Sequence, residues 1–339
     1  MPNPGLPLAS DLPIPPLEEL LATAHVVSLP MRVKFRGIRQ RESLLLRGPA
    51  AWGEFCPFPE YGDAEASRWL AAAIEAGWLG FPVPLRQVIP VNATVPAVSA
   101  ERVPDVLARF GRVDAVKVKV AEQGQSLDDD VARLHAVRDV LPDAAIRVDA
   151  NGGWDVPGAV EALTRLAPVG LEYAEQPVPS IEGLADVRSR LRDAGTPVLI
   201  AADESVRKET DPLRVARAGA ADLIVVKVAP LGGVRRALDV VAQAGLPAVV
   251  SSALDTSVGI RAGLALAAAL PELPYACGLG TVSLFESDVT MDPLVADDGA
   301  IRLRDVAADA GLLERFAAPA ERREWWLDRL RRVHALLAP

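Results

Sequence analysis

The stretch Ala145-Ile-Arg-Val-Asp-Ala-Asn-Gly152 joins a short β-branched run to an acidic residue and then to a glycine turn. Similar runs recur along the chain, and segments with helical periodicity lie between them, so that each unit takes about 25 residues. The runs cover residues 91–96, 115–119, 145–149, 170–175, 198–203, 223–227, 248–252 and 275–278. Eight such α/β units, with no Gly-x-Gly-x-x-Gly after an early run, predict a closed (β/α) barrel rather than an open sheet.

The two ends of the chain lack this rhythm. Runs at 26–29, 40–46 and 51–54 predict an antiparallel meander followed by a helix at 63–78, and residues 320–337 form an amphipathic helical pattern. We therefore expect an α+β capping domain built from both termini. The predicted divisions are 1–90 for the N-terminal capping domain, 91–284 for the barrel catalytic domain, and 285–339 for a C-terminal segment that returns to the cap.

The composition of the chain excludes some classes of binding partner. Of the 339 residues, 50% are hydrophobic and the formal net charge is −9, so the sequence offers no basic field for nucleic acid. No apolar stretch reaches the roughly 18 residues of a membrane span. The cysteines are Cys56 and Cys277, a pair that fits a reducing compartment, and the N-terminus has no signal-peptide pattern. We expect a cytoplasmic protein without nucleic acid, membrane or obligatory protein partner.

Three carboxylates lie at the ends of consecutive predicted strands. Asp149, Glu175 and Asp203 are each one β-plus-α unit apart, so they should stand on adjacent strands at the barrel mouth. Three hard oxygen ligands with no His or Cys nearby favour Mg²⁺ over zinc. The alternative is that each acid caps its strand and bonds to the following loop, but three in a row make one shared cation the better interpretation.

Lysines end two other predicted strands. Lys117 and Lys119 are two residues apart, so both side chains point to one face of the second strand. Lys227 ends the sixth strand, which places it across the mouth from Lys119. A lysine near another cation in a desolvated site can act as a base, and we predict that role for Lys119 and Lys227. The alternative is that each lysine pairs with a carboxylate of the metal site and only balances charge, which partly explains Lys117.

Taken in order, these motifs resemble the enolase superfamily, in its muconate-lactonizing subgroup. The residues that carry the resemblance are Lys117-x-Lys119, Asp149-Ala-Asn151-Gly152, Glu175-Gln176-Pro177, Ala202-Asp203-Glu204-Ser205 and Lys227. It covers nearly the whole chain, and it implies a modified TIM-type (β/α) barrel with an α+β cap, built from both termini, that selects the substrate. The segments 33–37, 52–61, 147–152 and 278–281 are most similar to the actinobacterial dehydratases of menaquinone biosynthesis within that subgroup.

The resemblance implies a reaction and its residues. The substrate would be a cyclohexadiene carboxylate with hydroxyl and succinyl substituents, which loses water through an enediolate in a syn elimination. Mg²⁺, with Mn²⁺ as a substitute, would be held by Asp149, Glu175 and Asp203. Lys119 would take the α proton and return it to the hydroxyl, and Lys227 would stabilise the anion from the other face. Mg²⁺ bridging the carboxylate oxygens supplies the main stabilisation.

A second set of residues is predicted to contact the substrate. Arg147 precedes Asp149 by two residues and shares its face, while the seventh and eighth units end near the mouth, where barrels bind anionic groups. We expect the succinyl carboxylate on this side, with Phe35 or Arg36 of the cap closing over it. For the serines, capping of the next helix is an equal alternative. The predicted substrate contacts are Lys117, Arg147, Asn151, Ser251, Ser252 and Gly280.

Other functions stay open beside this one. N-succinylamino acid racemases use two opposed lysines, and both are present here. Dipeptide epimerases carry an Asp-x-Asp at the eighth strand, where residues 275–280 contain no acid, and mandelate-type members place a histidine where Ser251 stands. A non-catalytic barrel that serves as a binding or scaffold protein is the alternative from another class, and the complete set of acids and lysines argues against it.

Overall fold

The structure is a computed structural model that describes residues 12–35, 37–196, 198–206 and 211–337. An antiparallel sheet and four helices surround one end of a parallel barrel. The cap begins with α1 (Leu17–Ala22) and three antiparallel strands, β1 (Ala24–Phe35), β2 (Ile38–Arg47) and β3 (Trp52–Phe55). Helix α2 (Asp63–Ile74) follows and ends in a π-helical turn at Glu75–Leu79. The predicted meander and helix are therefore present, with longer first strands than the sequence runs indicated.

The C-terminal segment packs on this sheet. Helices α11 (Ala310–Arg315) and α12 (Ala320–Leu337) contact β1, and α12 also packs against α2. Buried aromatic rings join the two ends of the chain: Phe55 of β3 meets Trp326 of α12 edge to face, with ring centroids 5.9 Å apart. Burial of such large rings is a major apolar contribution to holding the two termini together.

The barrel is formed by a parallel sheet. Its strands lie in the order β11-β10-β9-β8-β7-β6-β5, each next to its neighbour in sequence. These strands are β5 (Ala93–Val95), β6 (Ala115–Lys119), β7 (Ala145–Asp149), β8 (Leu171–Glu175), β9 (Leu199–Ala202), β10 (Leu223–Val226) and β11 (Ala248–Val250). The intervening helices are α3 (Val103–Leu107), α4 (Leu127–Val140), α5 (Val156–Leu166), α6 (Ile181–Asp193), α7 (Asp211–Arg217), α8 (Val228–Leu231), α9 (Val234–Ala244) and α10 (Ser257–Ala269).

Residues 275–278 close the ring. Gly278 forms a parallel bridge to Ser251, just beyond β11, and Cys277 forms a parallel bridge to Val91, just before β5. The predicted eighth strand is therefore a short bridging segment that joins the two edges of the sheet. Beyond it, β12 (Ala300–Arg302) pairs antiparallel with β4 (Val88–Pro90), and this pairing holds the segment that leads into the barrel.

Alternation along the strands separates two apolar environments. Val116 and Val118 belong to the large core that includes the helices, whereas Tyr173, Leu223 and Val225 belong to a smaller cluster of their own. Because side chains alternate in a strand, one set faces the helices and the other fills the barrel. The inward set continues upward to the charged residues at the strand ends. Among the residues described, no helix is both long and apolar enough to cross a membrane.

Candidate active site

Three buried carboxylates lie together at the carboxyl ends of the strands. Asp149 ends β7 and is in register with Glu175, which ends β8, and Asp203 follows β9 directly. All three side chains are buried. The structure thus places the predicted acids on three adjacent strands, as their spacing indicated.

The position of Asp203 depends on a neighbouring amide. Gln176 is fully buried and accepts hydrogen bonds from the backbone N–H groups of Asp203, at 2.9 Å, and Ser205, at 3.2 Å. Its own amide nitrogen donates to the Ser205 hydroxyl and to the Val178 carbonyl, each at 2.8 Å. Gln176 therefore fixes the turn that presents Asp203, a positioning role that the sequence analysis did not assign.

Lys117 bridges two of the carboxylates. Its Nζ lies 2.9 Å from Glu175 Oε1 and 3.2 Å from Asp149 Oδ2. Burial acts to lower the pKa of Lys117, but the Glu175 and Asp149 carboxylates raise it well above its ordinary value. The buried ammonium therefore stays charged and compensates the acids around it.

Lys119 and Lys227 face the same cavity from opposite sides of the ring. They extend from the ends of β6 and β10, and three strands separate those two in the sheet order. Lys119 Nζ lies 2.5 Å from Asp149 Oδ2 and 2.6 Å from Asn151 Oδ1, and Lys227 Nζ donates to both oxygens of Asp203. Two amines can thus reach opposite faces of one bound molecule.

The electrostatics of the acids follow from these pairs. Burial favours the neutral form of Asp149, but Lys119 and Lys117 hold its pKa well below the ordinary range. Burial likewise opposes ionisation of Asp203, and Lys227 and Lys117 lower its pKa. Burial and the neighbouring Asp149 raise the pKa of Glu175 to about 8, with Lys117 acting in the opposite direction. Ionisation of all three acids therefore requires compensating positive charge at the site.

The donor set fits a hard divalent cation. Asp149, Glu175 and Asp203 offer carboxylate oxygens and no sulfur or imidazole, which is the ligand preference of Mg²⁺. Lysine ammonium groups supply the positive charge at these oxygens here. The described cluster whose ligand atoms all lie within 4.8 Å of one another is a different one, Glu54, Cys56 and Asp255. A cation bound by Asp149, Glu175 and Asp203 would occupy the oxygens that Lys119 and Lys227 now contact. Its binding would move these two lysines away from the acids.

The cavity has a second, less charged wall. This wall comes from the loop after β11 and from residues 278–281, and Ser252 and Thr281 are hydrogen-bonded there at 2.7 Å. The space within this cavity, counted together with the open solvent at its mouth, amounts to about 450 Å³. The lining residues are Thr94, Lys117, Lys119, Asp149, Asn151, Asp203, Glu204, Lys227, Ser251, Ser252, Ala253, Leu254, Gly278 and Thr281.

A basic groove adjoins this cavity. Lys119 and Asn151 line both, and the groove continues along the cap strands β1 and β2 past Arg32, Lys34 and Arg39. Excess positive charge at the entrance favours approach of an anionic molecule even though the chain as a whole is acidic.

Similarity to known proteins extends over most of the chain. Residues 99–312 match the family model described as enolase C-terminal domain-like, and residues 26–77 match enolase N-terminal domain-like. The o-succinylbenzoate synthase of Mycolicibacterium smegmatis is 57% identical over 325 residues, which cover 96% of this chain and 99% of the relative. The o-succinylbenzoate synthase of Mycobacterium tuberculosis is 53% identical over 327 residues, with 96% and 98% covered.

The chain belongs to the o-succinylbenzoate synthase family of the enolase superfamily. Solved structures agree on the fold. A muconate lactonizing enzyme from Pseudomonas fluorescens complexed with muconolactone superposes with a TM-score of 0.75 at 21% identity, covering 87% of this chain and 98% of that one. A probable mandelate racemase from Alicyclobacillus acidocaldarius gives 0.68 at 28% identity, covering 88% and 95%. The predicted barrel with a cap is thereby confirmed.

Two predicted substrate contacts in this family member lie outside the cavity. Arg147 is one inward position below Asp149 on β7, and its guanidinium donates to Glu172, at 2.5 Å, and to the Ala276 carbonyl, at 2.6 Å. It also stacks over the Tyr173 ring, at 4.9 Å. The expectation that Arg147 reaches the mouth is therefore wrong, because these partners hold it inside the barrel. Gly280 is buried against Asn92 and Phe110 and does not line the cavity.

The other predicted contacts do line the cavity. Lys117, Asn151, Ser251 and Ser252 all border it, and their contact with substrate stays a prediction. The Phe35 side chain and the whole of Arg36, expected to close over the substrate, lie outside the described residues.

Six residues that line the cavity were not predicted as site residues from the sequence: Thr94, Glu204, Ala253, Leu254, Gly278 and Thr281. Thr94 is in register with Lys117 across β5 and β6, so a polar residue in an apolar strand was a usable signal. Leu254 lies in the loop after β11 and Thr281 in a short 3₁₀ helix at Gly280–Leu284, and no periodic pattern reveals either segment.

Proposed function

We propose that this chain is an o-succinylbenzoate synthase, a hydro-lyase of menaquinone biosynthesis. It would convert 2-succinyl-6-hydroxy-2,4-cyclohexadiene-1-carboxylate into 2-succinylbenzoate and water. The observation that carries the proposal is the pair Lys119 and Lys227 on opposite sides of one cavity that also holds the buried acids. Identity above 50% over nearly the full length of relatives with that name supports the choice of reaction.

The metal site is proposed to use the three acids. Asp149, Glu175 and Asp203 would hold Mg²⁺, which supplies positive charge next to the substrate carboxylate as that group becomes more negative. Lys117 would remain beside Glu175 and keep the acids in place. Asn151 lies within hydrogen-bonding distance of Lys119 and of Glu204, so it would orient the amine when the bond to Asp149 is given up.

Proton transfer is assigned to Lys119. As a neutral amine, its Nζ would remove the proton α to the substrate carboxylate and leave an enediolate. The resulting ammonium would then donate that proton to the departing hydroxyl on the same face, so that water leaves and the ring becomes aromatic. One group can serve both steps because both bonds are broken on one side of the ring.

Lys227 would act through its charge. It faces the cavity from β10, across from Lys119, and an ammonium over the face of a forming aromatic ring is attracted by the π system. Here it donates to both oxygens of Asp203, which directly follows β9, and it would give up this pair when Asp203 binds Mg²⁺. Ser251 and Ser252 on the adjacent wall are proposed to donate hydrogen bonds to the succinyl carboxylate, in place of Arg147.

Racemisation of N-succinylamino acids is the second candidate. Two opposed lysines allow a proton to leave one face of a carbon and return on the other, which is the geometry that this reaction requires. The two activities share one intermediate type, an enediolate, and therefore one metal site.

An ultraviolet assay separates these functions. Purified protein with Mg²⁺ is mixed with the cyclohexadiene substrate, whose diene absorption is lost on aromatisation, and in parallel with single enantiomers of N-succinylamino acids followed by polarimetry. We expect rapid dehydration and, at most, slower racemisation. Racemisation alone would support the second candidate, and no turnover of either substrate would favour a non-catalytic binding protein.

The cellular setting is also proposed. Cys56 and Cys277 are free and buried, which agrees with a reducing compartment such as the cytoplasm. The substrate is a small carboxylate, and none of the proposed steps requires a nucleic acid, membrane or protein partner.

A further inference from the structure

Arg41 of the cap is a buried guanidinium that reaches into the barrel. It lies on β2, and its side chain is almost completely buried. Its Nε donates to the Leu254 carbonyl, at 3.0 Å, and one terminal nitrogen donates to the carbonyls of Ala253, at 3.1 Å, and Cys56, at 2.5 Å. Phe58 covers the guanidinium at 4.3 Å from its ring centroid. Three carbonyls from cap and barrel thus converge on one cation.

The barrel side of this contact is a wall of the active site. Ser251, Ser252, Ala253 and Leu254 border the cavity, and Ser251 also bonds through its N–H to Val226, the residue before Lys227. Leu254 has a φ of +61°, a conformation that costs a leucine roughly 1–2 kcal/mol. Surrounding contacts must therefore hold this loop in place.

Further hydrogen bonds, from the cap and within the loop, hold residues 253–259 in place. Glu54 accepts hydrogen bonds from the Thr256 N–H and hydroxyl and from the Gly259 N–H. Asp255 accepts from the Ala253 N–H at 3.1 Å. Because the Glu54 oxygens already accept these bonds and one from Ser43, the Glu54–Cys56–Asp255 cluster is explained as a structural brace.

We propose that Arg41 is a positioning residue for the dehydration, which fixes the backbone of residues 253–254 and through it the substrate-facing wall beside Lys227. This inference rests on the proposed function. A guanidinium suits the task because its fork of donors can bind several carbonyls at once, whereas an ammonium cannot reproduce that geometry. Burying a charge is costly, and the hydrogen bonds to three backbone carbonyls from two domains, together with the nearby Asp255 carboxylate, compensate it.

The test compares Arg41→Lys with a matched control, Arg329→Lys. Arg329 is equally buried in the cap and donates to the carbonyls of Phe58 and Tyr61, but it makes no described hydrogen bond to the barrel loop. We expect both variants to lose similar thermal stability. Only Arg41→Lys should lower kcat/KM, by about 10- to 100-fold, and the loss should include a lower kcat. Misplacement of groups around the substrate by about 1 Å costs this much in rate. Mg²⁺ affinity should be unchanged in both.

Hydrogen exchange gives a readout that does not depend on turnover. Arg41→Lys should speed exchange of the amides of residues 253–256, and Arg329→Lys should not. An inactive wild-type protein would contradict the proposed function, while the exchange data would still decide the role of Arg41. Equal losses of kcat/KM in both variants, or unchanged exchange and kcat/KM in Arg41→Lys, would overturn the inference.

A second pair of variants loosens the loop from the barrel side, in case Arg41→Lys does not fold. Asp255→Ala removes the acceptor of the Ala253 N–H, whereas Asp255→Asn keeps an oxygen there. We expect a kcat/KM loss in the alanine variant that the asparagine variant largely rescues. Wild-type kcat/KM in a folded Asp255→Ala protein would contradict the proposal, because the geometry of this loop would then not matter.

Discussion

The ammonium of Lys117 lies 2.9 Å from one oxygen of Glu175 and 3.1 Å from the other. One buried cation on β6 thus contacts both oxygens of a buried carboxylate on β8. The strand between them, β7, contributes Asp149 to the same ammonium. This arrangement links three neighbouring strands by charge at the level where the proposed metal would bind. Lys117 therefore contributes to the stability of the site as well as to its chemistry.

Lys117→Met should destabilise the metal-free protein. Methionine has similar length but no charge, so Glu175 and Asp149 lose their shared partner in a buried setting. We expect the free energy of unfolding to fall by about 3–5 kcal/mol, as for other buried pairs broken on one side. Urea unfolding with EDTA measures this change.

A surface pair provides the control for that measurement. Arg165 contacts Asp128 on exposed helices, so Arg165→Met should cost at most about 1 kcal/mol. Equal losses in the two variants would show that Lys117 does not compensate the acids.

The two cavity lysines should respond differently to substitution. Lys119→Ala removes the proposed base and should abolish dehydration. Lys227→Arg keeps a positive charge with a different shape and hydration, so part of the activity should survive. With a pair of N-succinylamino acid enantiomers in deuterated water, Lys227→Arg should exchange the α proton of one enantiomer only and lose racemisation. Dehydration that persists in Lys119→Ala and disappears in Lys227→Arg would reverse the assigned roles.

The position of these lysines shows how much the sequence could predict. A two-residue spacing on β6 puts Lys117 and Lys119 on one face, and one unit per strand puts Asp149 beside Glu175, because register in a parallel sheet follows from regular α/β repeats. Periodicity thus predicts which residues stand at the mouth.

Arg147 shows where that reasoning ends. It shares the face of Asp149, as predicted, but its partners Glu172, Asn92 and Ala276 come from other strands and turn it into the barrel. Side-chain direction is decided by these tertiary contacts, which spacing along one strand does not contain. The Arg41 contact to residues 253–254 escaped prediction for the same reason, since it joins positions more than 200 residues apart.

Arg147→Met tests the corrected role. The substitution removes an ion pair, a bond to the segment that closes the barrel and a ring contact with Tyr173. We expect a loss of about 2–4 kcal/mol in unfolding free energy, in line with buried hydrogen bonds to charged groups. At a temperature where the variant is folded, KM for the cyclohexadiene substrate should stay near the wild-type value. A large rise in KM without loss of stability would restore Arg147 as a substrate contact.

The free energy of unfolding should also depend on pH through the carboxyl groups of the structural brace, Glu54 and Asp255. Burial and the neighbouring Asp255 raise the pKa of Glu54, and burial raises the pKa of Asp255. A carboxyl group with a raised pKa binds its proton more tightly in the folded state. Its contribution to stability is therefore complete below the unfolded values of 3.8 and 4.5 and is lost as pH rises through the raised folded values.

Asp255→Asn should flatten this dependence. The substitution removes one titrating group and the repulsion on the other, so the decline in unfolding free energy as pH rises above the unfolded pKa values should be smaller than in the wild type. Chemical denaturation in EDTA provides the measurement, and Asp143→Asn, at an exposed carboxylate, provides the control. Parallel curves for wild type and Asp255→Asn would mean that the brace does not titrate in this range.

Metal-dependent dehydration by the purified protein tests the central claim most directly. The loss of diene absorption is followed for wild type, Asp203→Asn and Lys119→Ala, each after EDTA treatment and again after addition of Mg²⁺. We predict turnover in the wild type only when Mg²⁺ is added, and none in either variant under any condition. Turnover of the wild type without a divalent cation, or dehydration by either variant at the wild-type rate, would contradict the assignment of these residues.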